Sequence, residues 1–573
     1  MKLKKVLAAT LAATMALSLA GCGGSSTSAT TAAATEAATE AVATEAATEA
    51  PTAAQVSSGK MDGGMTASDH PEITAEGKSE DITVTISNAV DIAGIAPFAA
   101  PQSGRNDIRY MIYDQLAVMA KPGADVDEMA WQMAKNIEKI DNDTYQIELY
   151  DYIHDWAGNQ ITADDVIFSY TTMAESGVSG KFSRLFGSME KIDDYNLTLK
   201  LKNTALGTAQ YVLQFCPVVD QEAYESQTEG ERSQYPIGTG GYKITEYVPG
   251  GYCYLERVED YWQTDESLRS YAFSGQAKEI KIVIQTEAAQ RANALTTGSV
   301  DVVPIVANTD IGLFRNDDGK AKEGYNVLSV INGNSYYIPF NCNEESPMSN
   351  IELRKAVAYA IDSVGVMDGT FGKAGYLASK DMANALLGDY NPQWNEEGFY
   401  EYNFEKAQEH MEASGLKDVE LHMMVSTEAN EKSIAVFVQQ YLSMLGINVV
   451  IDSYDAALIT EYKNDPTMWD LRVDSPGASE YCSEAWNLQV TSDVTGLNTF
   501  LVEDPTYDEL VAAAGGIDTH SQETVDAVHD YCLENCLYVP LGNYYKYSAA
   551  TDDLLIWSLH PYNYLLYGGF IFN

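Results

Sequence analysis

Between Val419 and Ser475 the chain alternates apolar strands with amphipathic helices, and this pattern leaves few folds open. "VELHMMVS" (419–426) reads as a strand. "EKSIAVFVQQYLSML" (431–445) carries a helical period, with Ile434, Phe437, Val438, Tyr441, Leu442 and Leu445 on one face and Gly446 as its stop. "INVVIDSYD" (447–455) is a second strand, "AALITEYKN" a short helix and "WDLRVDS" (469–475) a third strand. Strand, helix, strand, helix, strand predicts parallel strands joined by right-handed crossovers. Such sheets hold ligands in the loops beyond the carboxyl ends of their strands. Here the loop after the third strand is "DSPGASEYCSEAW". The N-terminal half is also mixed. "DITVTIS" (81–87), "TYQIELYDYI" and "YNLTLKLK" alternate as half-buried strands, and "ADDVIFSYTTMA" (163–174) opens with acids and continues helically. The fold class is α/β.

Composition narrows the function by exclusion. The formal net charge is -48, from 83 acidic and 35 basic residues, which argues against nucleic acid or anionic headgroups as partners. The 37 tyrosines suit a cleft lined with amphipathic rings. Apart from Cys22 there are six cysteines, at 216, 253, 342, 482, 532 and 536; an even number permits disulfides without fixing their pairing. Cys532 and Cys536 stand four apart on a predicted helix, where their Cβ vectors diverge. None of the spacings is that of a zinc ribbon. The sequence has no HExxH, GxSxG, P-loop or EF-hand motif. Acid pairs such as Asp164-Asp165, Asp193-Asp194 and Asp317-Asp318 are adjacent, so their side chains diverge and read as solvated loops or helix starts. No catalytic set, metal site or cofactor is expected.

The amino terminus has its own logic. "MKLKK" is a positive n-region, followed by a fifteen-residue apolar run, "VLAATLAATMALSLA". That is shorter than the ~20 residues a spanning helix needs and fits the h-region of a secretory signal peptide. Leu19-Ala20-Gly21-Cys22 resembles the lipobox of bacterial lipoproteins. The resemblance implies that residues 1–21 are removed and that Cys22 becomes a diacylated N-terminus, held on the outer side of the cell membrane by its two chains. Residues 22–80, with "ATEAATEAVATEAATEA", lack the apolar residues needed to offset ordering entropy and read as a disordered stalk.

Five blocks in order carry a broader resemblance. They are "AKNIEKIDNDTYQIELYDYIHDWAGNQITADDVIFSY" (134–170), "YPIGTGGYKITEYVPGGYCYLERVEDYW" (235–262), "EAAQRANALTTGSVDVVP" (287–304), "YYIPFNCNEESPMSNIELRKAVAYAIDSVGVMDGTFGKAGYLAS" (336–379) and "YNFEKAQEHMEASG" (402–415). Each also has a physical reading. Pro236 and the glycines 238, 240 and 241 make a tight turn into a strand, "VPGGY" is a hairpin turn, and Tyr261-Trp262 is a core anchor. Asn350 caps a helix whose buried stripe is Ile351, Ala356, Val357, Ala360 and Ile361. Together the blocks resemble the extracellular solute-binding proteins of ABC importers, family 5, the peptide and nickel group.

The resemblance implies a two-lobed, periplasmic-binding-protein-like fold with its cleft between the lobes. Lobe I would comprise 81–333, with a subdomain inserted at about 112–235, completed by 537–573. Lobe II would run from 334 to 536, with "FNCN" (340–343) as the crossing. It further implies capture of a solute, most simply a short peptide, for a membrane permease driven by an ATPase. A metal chelate, an oligosaccharide, or a sensor role beside a signalling receptor are the other readings. The chain is expected to act as a monomer and not as an enzyme. Peptide-binding members carry an "LDP"-like stretch after the first strand, where this chain has "ISNAVDIAGIAPF" (86–98). They also hold the peptide amino group on an aspartate a few residues after a Trp, where this chain has "WDLRVDSPGASEYC". Asp474 and Glu480 flank that position, Arg472 could pair with a ligand carboxylate or a neighbouring acid, and Asn88 and Asn341 stand where strands reach the cleft.

Overall fold

The structure is a computed structural model, and it describes residues 82–572 except 93–94, 100–105, 119–124, 271–272, 274, 276, 317–318, 374, 384, 386, 398, 476–478, 480, 488–498 and 560–564. The expectations for the signal peptide, Cys22, the stalk and Glu480 lie outside the described residues.

The main sheet is built on the strand Ile82–Asn88, which pairs in parallel with Ala277–Ile284 on one side and with Val302–Val306 on the other. The order runs Tyr325–Pro339, Tyr538–Thr551, Val302–Val306, Ile82–Asn88, Ala277–Ile284, Tyr252–Arg257, Tyr242–Val248, with Tyr376–Ala378 added to the side of Tyr538–Thr551. "VPGG" turns the hairpin of the last two strands, with Gly250 at φ 70°. Between the first strand and Tyr242 the chain forms a separate antiparallel sheet in the order Ala134–Lys139, Thr144–Leu149, Asn196–Leu201, Phe186–Asp193. This sheet shares a core with the main sheet through residues such as Val84, Ile86, Ile147, Leu199, Tyr242 and Ile282.

The two ends of the block 235–262 meet at one buried acid that lies outside it. Asp114 accepts from Tyr261 Oη at 2.8 Å and Trp262 Nε1 at 2.7 Å, and its amide donates to Thr239 Oγ1 at 3.0 Å. The glycines around Thr239 serve close approach instead of the tight turn expected of them: none of Gly238, Gly240 and Gly241 has positive φ. A Cβ on Gly240 would lie 2.3 Å from the Met111 carbonyl oxygen. Burial pushes the Asp114 carboxyl up to about 7, against the pull of the Trp262 and Tyr261 hydrogen bonds. An acid whose pKa rises on folding adds stability that is full below its unfolded value, near 3.8, and is lost as pH climbs through the folded value. Between pH 4 and 7 the wild-type unfolding free energy is therefore expected to fall relative to that of Asp114→Asn, by up to about 4 kcal/mol. Parallel denaturant titrations of the two proteins would check the difference.

The predicted strand–helix–strand pattern is present. Glu420–Ser426 lies between Asn448–Tyr454 and Leu471–Arg472, all parallel, with helices Ala429–Met444 and Ala456–Tyr462 as connections. The third strand is only two residues long. Its neighbour Asp470 is engaged elsewhere, accepting from Ser346 Oγ at 2.5 Å and from the His422 amide at 2.8 Å. Asn350 caps the helix Ile351–Ala360 as expected, accepting from the amides of Glu352 and Leu353. On that helix Leu353, Ala356, Val357 and Ala360 are buried, whereas Ile351 is only partly so. These elements pack around a second set of cores containing Ile338, Val357, Met423, Val438 and Leu471 and Tyr337, Trp394, Trp486, Tyr507 and Tyr538.

Two long strands join the two halves. Tyr325–Pro339 and Tyr538–Thr551 pair antiparallel from Tyr325↔Thr551 to Pro339↔Tyr538, so one ladder runs from the first set of cores into the second. The register slips between Ile331 and Ser335 and again between Tyr336 and Tyr337. At the second slip Gly542 holds φ 136°, and a Cβ there would stand 2.4 Å from the Leu377 carbonyl oxygen, so only glycine fits. The passage thus lies earlier than "FNCN". By Phe340 the chain already bridges Leu471 of the second half.

Candidate functional site

The ladder between the halves carries residues of the second half up to its rim. Tyr337 pairs through its main chain with Asp474, amide to carbonyl in both directions at 3.0 Å. Its hydroxyl donates to Asp474 Oδ2 at 3.4 Å. Arg472, just upstream, forms an ion pair with the same oxygen and lies over the Trp469 ring, 4.7 Å from its centroid. The Arg472 side chain is 5% exposed while that of Asp474 remains 33% exposed, so the acid presents an open side to solvent and the base does not. Arg472 Nε is buried without a hydrogen-bond partner. Asp474 Oδ1 accepts from the Ser475 amide at 2.8 Å.

Asp474 also has an acidic neighbour that sequence reading missed. Burial raises the Glu431 carboxyl above its usual range; hydrogen bonds from Ser426 pull it down, and the charges of Asp474 and Glu428 push it further up. Glu431 opens the helix after the first strand of the parallel set, and its Oε2 accepts from the Ser426 amide at 2.8 Å. The signal available in the sequence was its place: the first turn after a strand's carboxyl end, where open α/β sheets bind ligands. Tyr337 was missed because it reads as an ordinary strand residue; only the cross-chain pairing brings it to Asp474.

The two asparagines separate. Asn341 is fully buried with both its polar atoms engaged: its Nδ2 donates to the Pro466 and Trp469 carbonyls at 2.8 and 2.7 Å, and its Oδ1 accepts from the Asn343 amide at 3.1 Å. It clamps the chain after the crossing to the third parallel strand, a brace where a ligand contact was considered. Asn88 ends the first strand, 8% exposed; its Oδ1 accepts from the Ala89 amide at 3.0 Å, and its Nδ2 is buried without a partner.

The halves also touch away from the ladder. Ala205, between the strand Asn196–Leu201 and the helix Thr208–Phe215, bridges Gly516 at the end of the helix Pro505–Gly515. Leu206 N donates to Gly515 O at 3.0 Å, Ile517 N to Thr204 O at 3.3 Å, and Asn142 Nδ2 to Asp518 Oδ1 at 2.8 Å. Lys181 adds an ion pair with Glu484, both partly buried. These contacts join surfaces from distant stretches of chain, so they hold one arrangement of the halves. A Lys181→Glu variant would set like charges against each other there. Its solute affinity is expected to fall about five- to tenfold while its melting curve stays near that of the wild type; calorimetric titration reads the first and scanning calorimetry the second.

Among the described residues no group of His, Cys, Asp and Glu is placed to hold a metal ion. The six described cysteines are free thiols. The arrangement as a whole suits reversible capture: a partly exposed carboxylate with a second acid beside it, a buried donor at the end of the first strand, and a ladder with register slips linking two packed halves.

Comparison with known proteins agrees. The family description "Bacterial extracellular solute-binding proteins, family 5 Middle" matches residues 128–503. The oligopeptide-binding protein AppA of Bacillus subtilis (strain 168) is 24% identical over 469 residues, 75% of this chain and 81% of its own. The ABC transporter substrate binding protein CtaP of Listeria monocytogenes superimposes with a TM-score of 0.72 at 18% identity, over 86% of this chain and 100% of its own. The dipeptide binding protein of Pseudoalteromonas sp. SM9913, in complex with Met-Leu, gives 0.69 at 17% identity, over 86% and 100%.

Proposed function

The chain belongs to the bacterial extracellular solute-binding proteins of family 5, two-lobed components of ABC importers that bind solutes and catalyse no reaction, and we propose that its solute is a short peptide, held between the lobes and handed to a membrane permease. The observation that carries the peptide reading is Asp474. Its carboxylate is anchored by Arg472 and Tyr337 on one side and open on the other. A charge-assisted hydrogen bond from an ammonium to such a carboxylate orients a ligand strongly, and Glu431 adds negative charge nearby. The peptide-binding names of relatives such as AppA lend support. In this reading the first lobe is 81–333 with 537–573, the second is 334–536, and the ladder through both is the hinge.

Thermal-shift screening of the purified protein against di- to hexapeptides, oligosaccharides and nickel–histidine tests the proposal. Peptides should raise the melting temperature. A response confined to sugars or the metal complex would refute the peptide assignment. Lipidation at Cys22 is part of the same proposal, since a receptor serving one permease gains from staying beside it. Cys22→Ala is expected to release the protein into the medium or leave it unprocessed, as fractionation and mass measurement would record.

A further inference from the structure

The strand Tyr538–Thr551 pairs with Tyr325–Ile331 without a slip from Thr551 down to Tyr545, so its side chains alternate strictly there. Tyr545, Tyr547 and Ala549 face a cluster containing Leu295, Val303 and Phe314. On the opposite face Ala550 enters the first core with Ile86 and Val302, and Tyr544 packs on the second with Tyr336 and Phe371. Lys546 stands in that row between the end of one core and the start of the other, where the ladder passes between the two halves. Its side chain is partly buried. Among the described residues its ammonium meets no carboxylate, carbonyl or hydroxyl at bonding distance. Burial holds it below the usual lysine value with no counter-charge opposing the shift. In a chain with 83 acids to 35 bases, a lysine left unpaired at such a place is not short of available partners.

Asn88 shares this face, because Val84 and Ile86, four and two residues before it in strand alternation, lie in the first core. Its strand is separated from that of Lys546 only by Val302–Val306, a distance of about 10 Å. Both residues lie beyond the Ile86–Val302–Ala550 row, toward the carboxyl ends of the parallel strands. This stretch of the ladder therefore offers two donors without a partner among the described residues, one cationic, while the second lobe offers the carboxylates of Asp474 and Glu431.

We infer that Lys546 is the anion-binding residue of the cleft: its ammonium takes a carboxylate of the solute, and Asn88 Nδ2 donates to an acyl oxygen of the same molecule. Opposite charges on the two sides of the cleft then select a zwitterion, in which a short peptide carries both ends. The inference rests on the solute-binding reading of the cleft and adds the charge of what fills it.

The test is calorimetric titration of the full-length protein and of Lys546→Met and Lys546→Arg with a mixed tripeptide library, the same library C-terminally amidated, nickel–histidine and maltotriose. The wild type should bind the free acids at least tenfold more tightly than the amides. Lys546→Met should erase that ratio while binding the amides as before, and Lys546→Arg should keep most of it. An unchanged ratio in Lys546→Met, or no acid-over-amide preference in the wild type, overturns the inference. If nickel–histidine alone binds and needs Lys546, the anion point stands and the peptide reading falls. If only maltotriose binds, or nothing does, both fall.

Discussion

An Asp381→Ala variant is expected to lose about 3–5 kcal/mol of unfolding free energy, the range for leaving one half of a buried ion pair unpaired. Asp381 is fully buried in the second half, its Oδ2 2.6 Å from His529 Nδ1 and 3.1 Å from the Tyr538 hydroxyl that donates to it, its Oδ1 accepting from the Ala383 amide at 2.7 Å. Trp394 stacks on the imidazole, with ring centroids 4.6 Å apart. Burial pulls the His529 pKa down, but the hydrogen bond and charge of Asp381 outweigh it and the net direction is up. The sign for stability follows. A histidine whose pKa rises on folding contributes fully below its unfolded value, near 6.5, and the contribution is lost as pH climbs through the folded value. Wild-type stability should therefore decline above pH 6.5, and the Asp381→Ala protein should lack that decline. Tyr538 begins the strand that runs from the second set of cores into the first, so the loss should weaken that connection as well as the second core. Urea titrations at pH 6 and pH 8 would measure both effects.

The second large effect concerns binding. Asp474→Asn keeps the shape of the side chain and removes its charge. A hydrogen bond to a charged group contributes about 1.5–3 kcal/mol, so affinity for peptides with a free amino group should fall about 10- to 100-fold. N-acetylated peptides, which offer no ammonium, should bind the variant and the wild type equally. Equal losses for both peptide types would mean that Asp474 acts only by holding Arg472 and the chain around it. Loss for the free-amine peptides alone would place the ammonium at this carboxylate.

Much of the fold was legible because it rests on local patterns. The helix over 431–445 shows its stripe in Ile434, Val438 and Leu442, all fully buried, and the flanking apolar runs become the parallel strands expected of them. Tyr261 and Trp262 read as core anchors and are; what no sequence could give was the acid they share, since Asp114 lies almost 150 residues upstream. The glycines of "GTGG" read as a tight turn, whereas what requires them is close approach, the backbone of 111–112 pressing on Gly238 and Gly240 and the Phe273 ring on Gly241, a tertiary fact. The site was less legible for the same cause. Asp474 and Arg472 stand two residues apart, so their pairing could be suspected. Tyr337 and Glu431 reach Asp474 from other elements, and Lys546 matters only because of which cores lie on either side of it. Asn341 shows the converse: its position suggested a ligand contact, while the carbonyls that occupy it sit more than 120 residues away.

The claim at the centre of this account is that the two lobes hold a short peptide, and identifying the occupant tests it most directly. The full-length protein would be incubated with equal amounts of a peptide digest, an oligosaccharide mixture and nickel–histidine, and its complexes weighed by native mass spectrometry. The account predicts one ligand per chain that, once released, fragments into amino-acid residues. A sugar or metal complex as the sole occupant, or a chain that stays empty, would contradict it.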